Sequence, residues 1–223
     1  MRNGREEDIM WLTFGAITIA GLLGVAHYWG LVIVPPDRMM GDLYRILFVH
    51  VPCAWMALLF FFLNCVGSIG FLLRRRPAWD RFAASAAEIG LVMTGLALAL
   101  GSLWGKPVWG IWWTWDPRLT TTALLFIMYA GYLLVRRLLE DPERRATIAA
   151  ALGLLIFLDV PIVYLSVKWW RSLHQIQSSP QTMAPEMVFA LRFNALALLA
   201  ACCLMLVGRM RVAKAQALRE ENP

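Results

Sequence analysis

The feature that most constrains this chain is the length of its apolar runs. Several exceed the roughly 20 residues a helix needs to cross the hydrocarbon of a bilayer. Six are present, at about 9–31, 46–73, 83–103, 119–139, 146–168 and 187–208. Within lipid, every backbone polar group must find its partner inside the protein, so such runs fold as helices. The chain is 60% hydrophobic, against about 45–50% for a soluble domain. The expectation is an all-α integral membrane protein with six transmembrane helices. No connection is long enough to fold alone, so residues 1–223 are read as a single membrane domain. The first run continues to Val34 with no small-residue cleavage site, and is longer than the core of a signal peptide, so it is read as a retained span.

The formal charge of +6 does not point to nucleic acid. In a membrane protein, Lys and Arg mainly mark cytoplasmic loops. One alternate set of segments holds Arg2, Arg5, Arg74, Arg75, Arg76, Arg81, Arg136, Arg137, Arg144, Arg145, Arg209, Arg211, Lys214 and Arg219. The other set holds only Arg38, Arg45, Lys106, Arg118, Lys168 and Arg171. The imbalance predicts both termini in the cytoplasm, with connections 35–45, 104–118 and 169–186 outside. No Gly-x-x-x-x-Gly-Lys-Ser/Thr occurs, which excludes nucleotide hydrolysis by a P-loop. The polar tail from Arg209 to Pro223 is expected to fray.

The connection between the third and fourth spans is unusual. Five of the eleven tryptophans, Trp104, Trp109, Trp112, Trp113 and Trp115, fall between Trp104 and Arg118. The same stretch holds two glycines and two prolines, so it is not expected to form one regular helix. Tryptophans also anchor helices at membrane interfaces, which accounts for Trp11, Trp29, Trp55 and Trp79. A density of five in one loop instead predicts a flat aromatic surface for a flat apolar ligand, because large rings offer stacking area at low entropic cost. Trp169 and Trp170 in the last outer loop add to it.

Only three histidines are present. His50, at the outer end of span 2, and His174, in the last outer loop, flank the tryptophan loop. His27 reads as an ordinary interfacial residue. Two neutral imidazoles across a gap can fill both axial positions of a haem iron. Arg118 is the first candidate to pair with a propionate, since guanidinium groups bind carboxylates bidentately; Lys106, Arg45, Lys168 and Arg171 lie on the same side. Asp116 either pairs with Arg118 or caps the following helix. Within the spans, Asp159 and Arg192 lie at depths that would let them pair, and unpaired charge there is expensive. Pro161 marks a kink in span 5. Cys53, Cys65, Cys202 and Cys203 form no Cys-x-x-Cys and read as small buried apolar residues.

The run Trp-Gly-x-Pro-x-Trp-Gly-x-Trp-Trp-x-Trp-Asp-x-Arg-Leu-Thr, from Trp104 to Thr120, resembles the tryptophan-rich signature of haem-handling proteins of cytochrome c maturation. The six spans, the length, His50-Val-Pro and Trp169-Trp170-Arg-Ser-Leu-His174-Gln are similar to the haem exporter protein C (CcmC) family in particular. The resemblance implies a periplasmic site for non-covalent haem b, handled as substrate, with His50 and His174 as axial ligands. It implies that loop 104–118 holds haem and meets a periplasmic haem chaperone in the bacterial inner membrane. Further implied partners are the membrane and ATPase subunits of an ABC-type complex and a small single-span subunit. The implied role is transfer rather than enzymatic turnover, with assistance to covalent haem attachment on the chaperone. Two other classes stay open on the residues alone: a b-type cytochrome redox subunit, and a transporter caging an organic cation.

Overall fold

In a computed structural model, the backbone is described for residues 2–174 and 183–221, and side chains for 10–174 and 183–219. Seven α-helices follow in order: α1 (Arg2–Tyr28), α2 (Leu47–Arg74), α3 (Pro77–Trp109), α4 (Pro117–Leu138), α5 (Pro142–Phe157), α6 (Asp159–Trp169) and α7 (Pro185–Glu221). A π-helical turn (Trp29–Ile33) extends α1, and a 3-10 turn (Asp42–Ile46) leads into α2. Six segments are long and apolar enough to cross a membrane, with α5 and α6 together making one of them. The expected six-helix, all-α membrane architecture is therefore observed.

The starts of α3, α4 and α5 share one local cause. Each begins with proline at its first position, Pro77, Pro117 or Pro142, where the missing N–H would have had no helical partner. Asp116 and Asp141 cap α4 and α5, accepting the N–H of Arg118 at 2.9 Å and of Arg144 at 2.6 Å.

Three expected boundaries move. Helix α3 runs through Trp104 and Pro107 to Trp109, so the irregular part of 104–118 is only Gly110 to Asp116. Pro107 lies inside the last turns of α3, where it cannot donate to the carbonyl of Leu103. Helix α7 continues to Glu221 instead of fraying after Arg209. Span 5 breaks between α5 and α6 at Leu158, whose N–H bonds only three residues back, to Leu155 at 3.2 Å. That break lies one turn before Pro161, which cannot donate to the carbonyl of Phe157.

The chain divides into two compact units, residues 1–52 with 179–223, and residues 53–178. In the first, Asn194 is buried and donates to the carbonyls of Ala26 at 2.8 Å and Ala190 at 2.9 Å, tying α7 to α1. Val34, Tyr44, Phe48, Met187, Ala190 and Leu191 form its core. Arg45 donates to the Leu31 carbonyl and to Asp42, each at 2.7 Å, which satisfies an acceptor of the π-helical turn.

The second unit is held by a buried polar cluster within an apolar core. Phe61 stacks on Tyr129 at 3.7 Å with 4° between the rings. The Tyr129 hydroxyl donates to Asn64 Oδ1 at 3.2 Å, and Asn64 Nδ2 donates to the Ala83 carbonyl at 2.9 Å and to the Tyr132 hydroxyl at 3.2 Å. In lipid these groups have no water to turn to, so the cluster fixes the register of α2, α3 and α4. Close approach is possible because residue 90 lacks a side chain: a methyl group there would lie 2.6 Å from the Phe61 ring. At the α3 start and α4 end, Arg136 grips Asp80 bidentately at 2.6 and 2.8 Å.

Candidate haem-handling site

The site is built where α3 ends, α4 begins and α6 runs out, all within the second unit. Gly110 stops α3 by adopting φ 78°, the left-handed conformation glycine tolerates, and its N–H returns to the Lys106 carbonyl at 3.0 Å. Lys106 Nζ donates to the Gly110 carbonyl at 3.0 Å. This cation therefore caps the helix end, where positive charge is favoured.

The five tryptophans divide at this glycine. Trp104 and Trp109 sit on the last turns of α3, half-buried, with ring centroids 5.3 Å apart and planes at 82°. Trp112, Trp113 and Trp115 follow in the irregular segment and are 55%, 37% and 81% exposed. Trp113 and Trp115 meet at 89°, and Trp169 and Trp170 at 77°. Neighbouring rings meet edge to face, so they wall a site rather than pave one flat floor.

His174 is set against the helical pair. Its ring lies 5.1 Å from that of Trp109, at 70°. Nδ1 lies 3.3 Å from Asp116 Oδ1, close but out of line for a well-formed hydrogen bond. Asp116 is only 5% exposed. Besides capping α4, it accepts the Leu173 N–H on Oδ2 at 2.7 Å, and the Ser172 side chain also favours its charged form. Ser172 Oγ in turn accepts the His174 N–H at 3.0 Å. Of the two roles open to Asp116, the structure shows the cap: it bonds the Arg118 backbone, while the Arg118 guanidinium reaches the Tyr164 carbonyl at 3.4 Å. The link from Asp116 to 172–174 has no counterpart in the sequence reading, because it joins residues almost sixty positions apart.

Electrostatics follow from this packing. Burial alone would raise the Asp116 pKa, but bonds from Leu173 and Arg118, the Ser172 side chain and the facing His174 more than offset it, holding the carboxyl below its ordinary value. Burial pushes the His174 pKa down, opposed by Asp116 and reinforced by the Arg118 cation. His174 is thus neutral at pH 7, the form in which imidazole ligates a metal.

Among the described residues, no three His, Cys, Asp or Glu side chains gather as they would around a bare ion. What the second unit gathers at this end is a single imidazole set edge to face with an indole. His50, in the first turn of α2, and His27, in the last turn of α1, belong to the first unit, as does Arg192, whereas Asp159 belongs to the second. Asp159 is buried, with Oδ2 unpartnered among the described residues. Arg45 is engaged by Asp42 and Leu31, as above.

Six apolar helical segments define the class, a multi-pass membrane protein, and at the end of its third span a histidine is held against tryptophans. Residues 6–222 match the family model of heme exporter protein C (CcmC), and the chain belongs to that family. It is 41% identical over 165 residues to heme exporter protein C of Bradyrhizobium diazoefficiens, covering 74% of this chain and 61% of that protein. It is 34% identical over 205 residues to heme exporter protein C of Escherichia coli K12, covering 91% and 82%. A putative cytochrome c biosynthesis ccmC-like mitochondrial protein of Marchantia polymorpha is 41% identical over 160 residues, covering 72% and 68%. With its six apolar segments and these bacterial relatives, the chain is a multi-pass protein of the bacterial inner membrane.

Proposed function

We propose that this chain takes part in haem export for c-type cytochrome maturation, holding haem b at the periplasmic face and passing it to a periplasmic haem chaperone. Haem is its cargo. The observation that carries the reading is His174, half-buried, neutral, and set edge to face with Trp109. In this role His174 supplies one axial nitrogen, and Trp104 and Trp109 shield one side of the ring. The exposed Trp112, Trp113 and Trp115 offer apolar area to cargo or chaperone. His50 supplies the second axial nitrogen on the strength of the sequence. Arg118 pairs with a propionate: among the described residues its guanidinium bonds the neutral Tyr164 carbonyl, and Asp116 is the carboxylate near it. The ATPase and remaining membrane subunits of an ABC-type complex would be separate chains, since this sequence lacks a P-loop.

A ligand carried on an irregular segment suits a site that must release what it binds, because such segments open at low free energy. The test is the absorbance spectrum of the purified chain and of the His50→Ala and His174→Ala variants, oxidised and reduced. A low-spin spectrum with two nitrogen ligands is expected for the wild type. Each variant should lose that signature and retain less haem. Identical spectra in all three proteins would overturn the assignment.

A further inference from the structure

The Asp116 carboxylate faces four donors with its four lone-pair sites. They are the N–H groups of Arg118 and Leu173, the Ser172 hydroxyl and the His174 ring at Nδ1. The first two are bonded, at 2.9 and 2.7 Å. The fourth sits at 3.3 Å and is the only one contributed by a group able to bind iron. A histidine that ligates a metal usually donates its other ring N–H to a carboxylate, which fixes the tautomer and strengthens the ligand.

We propose that Asp116 is the positioning residue of this site, holding His174 with Nδ1–H toward its carboxylate so that Nε2 is the nitrogen offered to iron. The proposal rests on the haem reading above. Asp116 acts through His174 and has no contact of its own with the cargo. The bond to Leu173 holds the segment against the start of α4, and the Nδ1 contact sets the rotation of the ring. The 3.3 Å separation then shortens when iron draws electron density from the imidazole and makes Nδ1–H a stronger donor.

The experiment uses the full chain in nanodiscs. Asp116→Asn keeps an oxygen to cap α4 but presents no charge to Nδ1. Asp116→Glu restores the charge. Thr121→Val serves as a control, because the Thr121 hydroxyl bonds the Pro117 and Arg118 carbonyls in the same helix turn without touching Asp116. Without haem, the 15N shifts of His174 should report the Nδ1–H tautomer in the wild type and a tautomer mixture in Asp116→Asn. With haem, Asp116→Asn should lose it to apomyoglobin faster, on the order of 10- to 100-fold. Its reduction potential should also rise, as the axial imidazole becomes a weaker donor. Asp116→Glu should recover part of both shifts, and Thr121→Val should leave both unchanged.

A wild-type tautomer and potential in Asp116→Asn would overturn the proposal. If His174→Ala still changed the haem spectrum, the haem reading would survive that result. If His174→Ala left the spectrum unchanged, the haem reading would fail, and the tautomer of the haem-free protein would still decide whether Asp116 sets the ring.

Discussion

The Trp109 indole and the His174 imidazole meet edge to face, with centroids 5.1 Å apart and planes at 70°. One ring sits on the last turn of α3 and the other in the segment after α6. Trp109 itself is backed by Trp104. The histidine therefore leans on a helix-borne ring with its own support.

Truncating Trp109 should consequently damage haem retention more than truncating a tryptophan of the irregular segment. An aromatic pair contributes about 0.5–1.5 kcal/mol beyond area burial, so Trp109→Ala should weaken haem binding several-fold to about tenfold. Trp115, 81% exposed, should lose less than about threefold when changed to alanine, for want of any contact with His174. Haem titration of both variants checks this; equal losses would show that the two indoles do the same job.

Arg118 should distinguish free haem from its dimethyl ester. Hydrogen bonds to charged groups contribute about 1.5–3 kcal/mol, so the wild type should prefer the free acid by roughly ten- to a hundredfold. Arg118→Ala should bind both forms alike. A preference that persists in the variant would assign the propionate to another cation.

The Asp116 contacts predict an acid limit for the start of α4. Its pKa is lowered in the folded chain, so the folded form favours the carboxylate. The resulting stability is fully present above the ordinary aspartate value of 3.8 and is lost as pH falls through the lower folded value. Tryptophan fluorescence of the haem-free protein, read on a His174→Ala background that removes the imidazole beside Trp109, should thus stay flat from pH 7 to about 5 and change below about 4. The Asp116→Asn variant should lack that acid transition. A transition of the same midpoint in the variant would trace it to other carboxylates.

Asn64 should matter for stability and not for haem. Asn64→Ala leaves the Ala83 carbonyl and the Tyr129 and Tyr132 hydroxyls without their shared partner. An unsatisfied buried group costs about 1–3 kcal/mol, so the variant should lose at least that much and melt several degrees lower in detergent. Its haem spectrum should be unchanged once it is folded. Wild-type melting would show that water or a rearranged side chain replaces the amide.

What could be read in advance follows from the range of each interaction. The six spans were legible because hydrophobic length is written locally. The start of α4 was half legible: Asp116-Pro117 spells a cap, and a cap it is. The end of α3 was misplaced because Gly105 and Pro107 suggest a break, while the helix tolerates both near its end and stops only at Gly110. The break at Leu158 was legible from Pro161, which frees the carbonyl four residues before it, that of Phe157. The continuation of α7 through Lys214 and Arg219 was hidden by polarity, although Ala213, Ala215, Ala217 and Leu218 favour helix. The joining of Asp116 to Ser172, Leu173 and His174 could not be found in either local pattern, since it exists only once α4 and α6 have packed.

The double duty of Asp116 has a mechanical consequence. The amides of Arg118 and Leu173 are bonded to two oxygens of one carboxylate. Neither can be released by a swing of that side chain without disturbing the other. The first turn of α4 and the segment carrying His174 should therefore open as one cooperative unit, with a single free energy of opening. Hydrogen exchange at those two amides would show it as matched protection factors. A pull on either segment then becomes a pull on His174, so on the proposed reading a chaperone docking there would need to displace only one of them to weaken its hold.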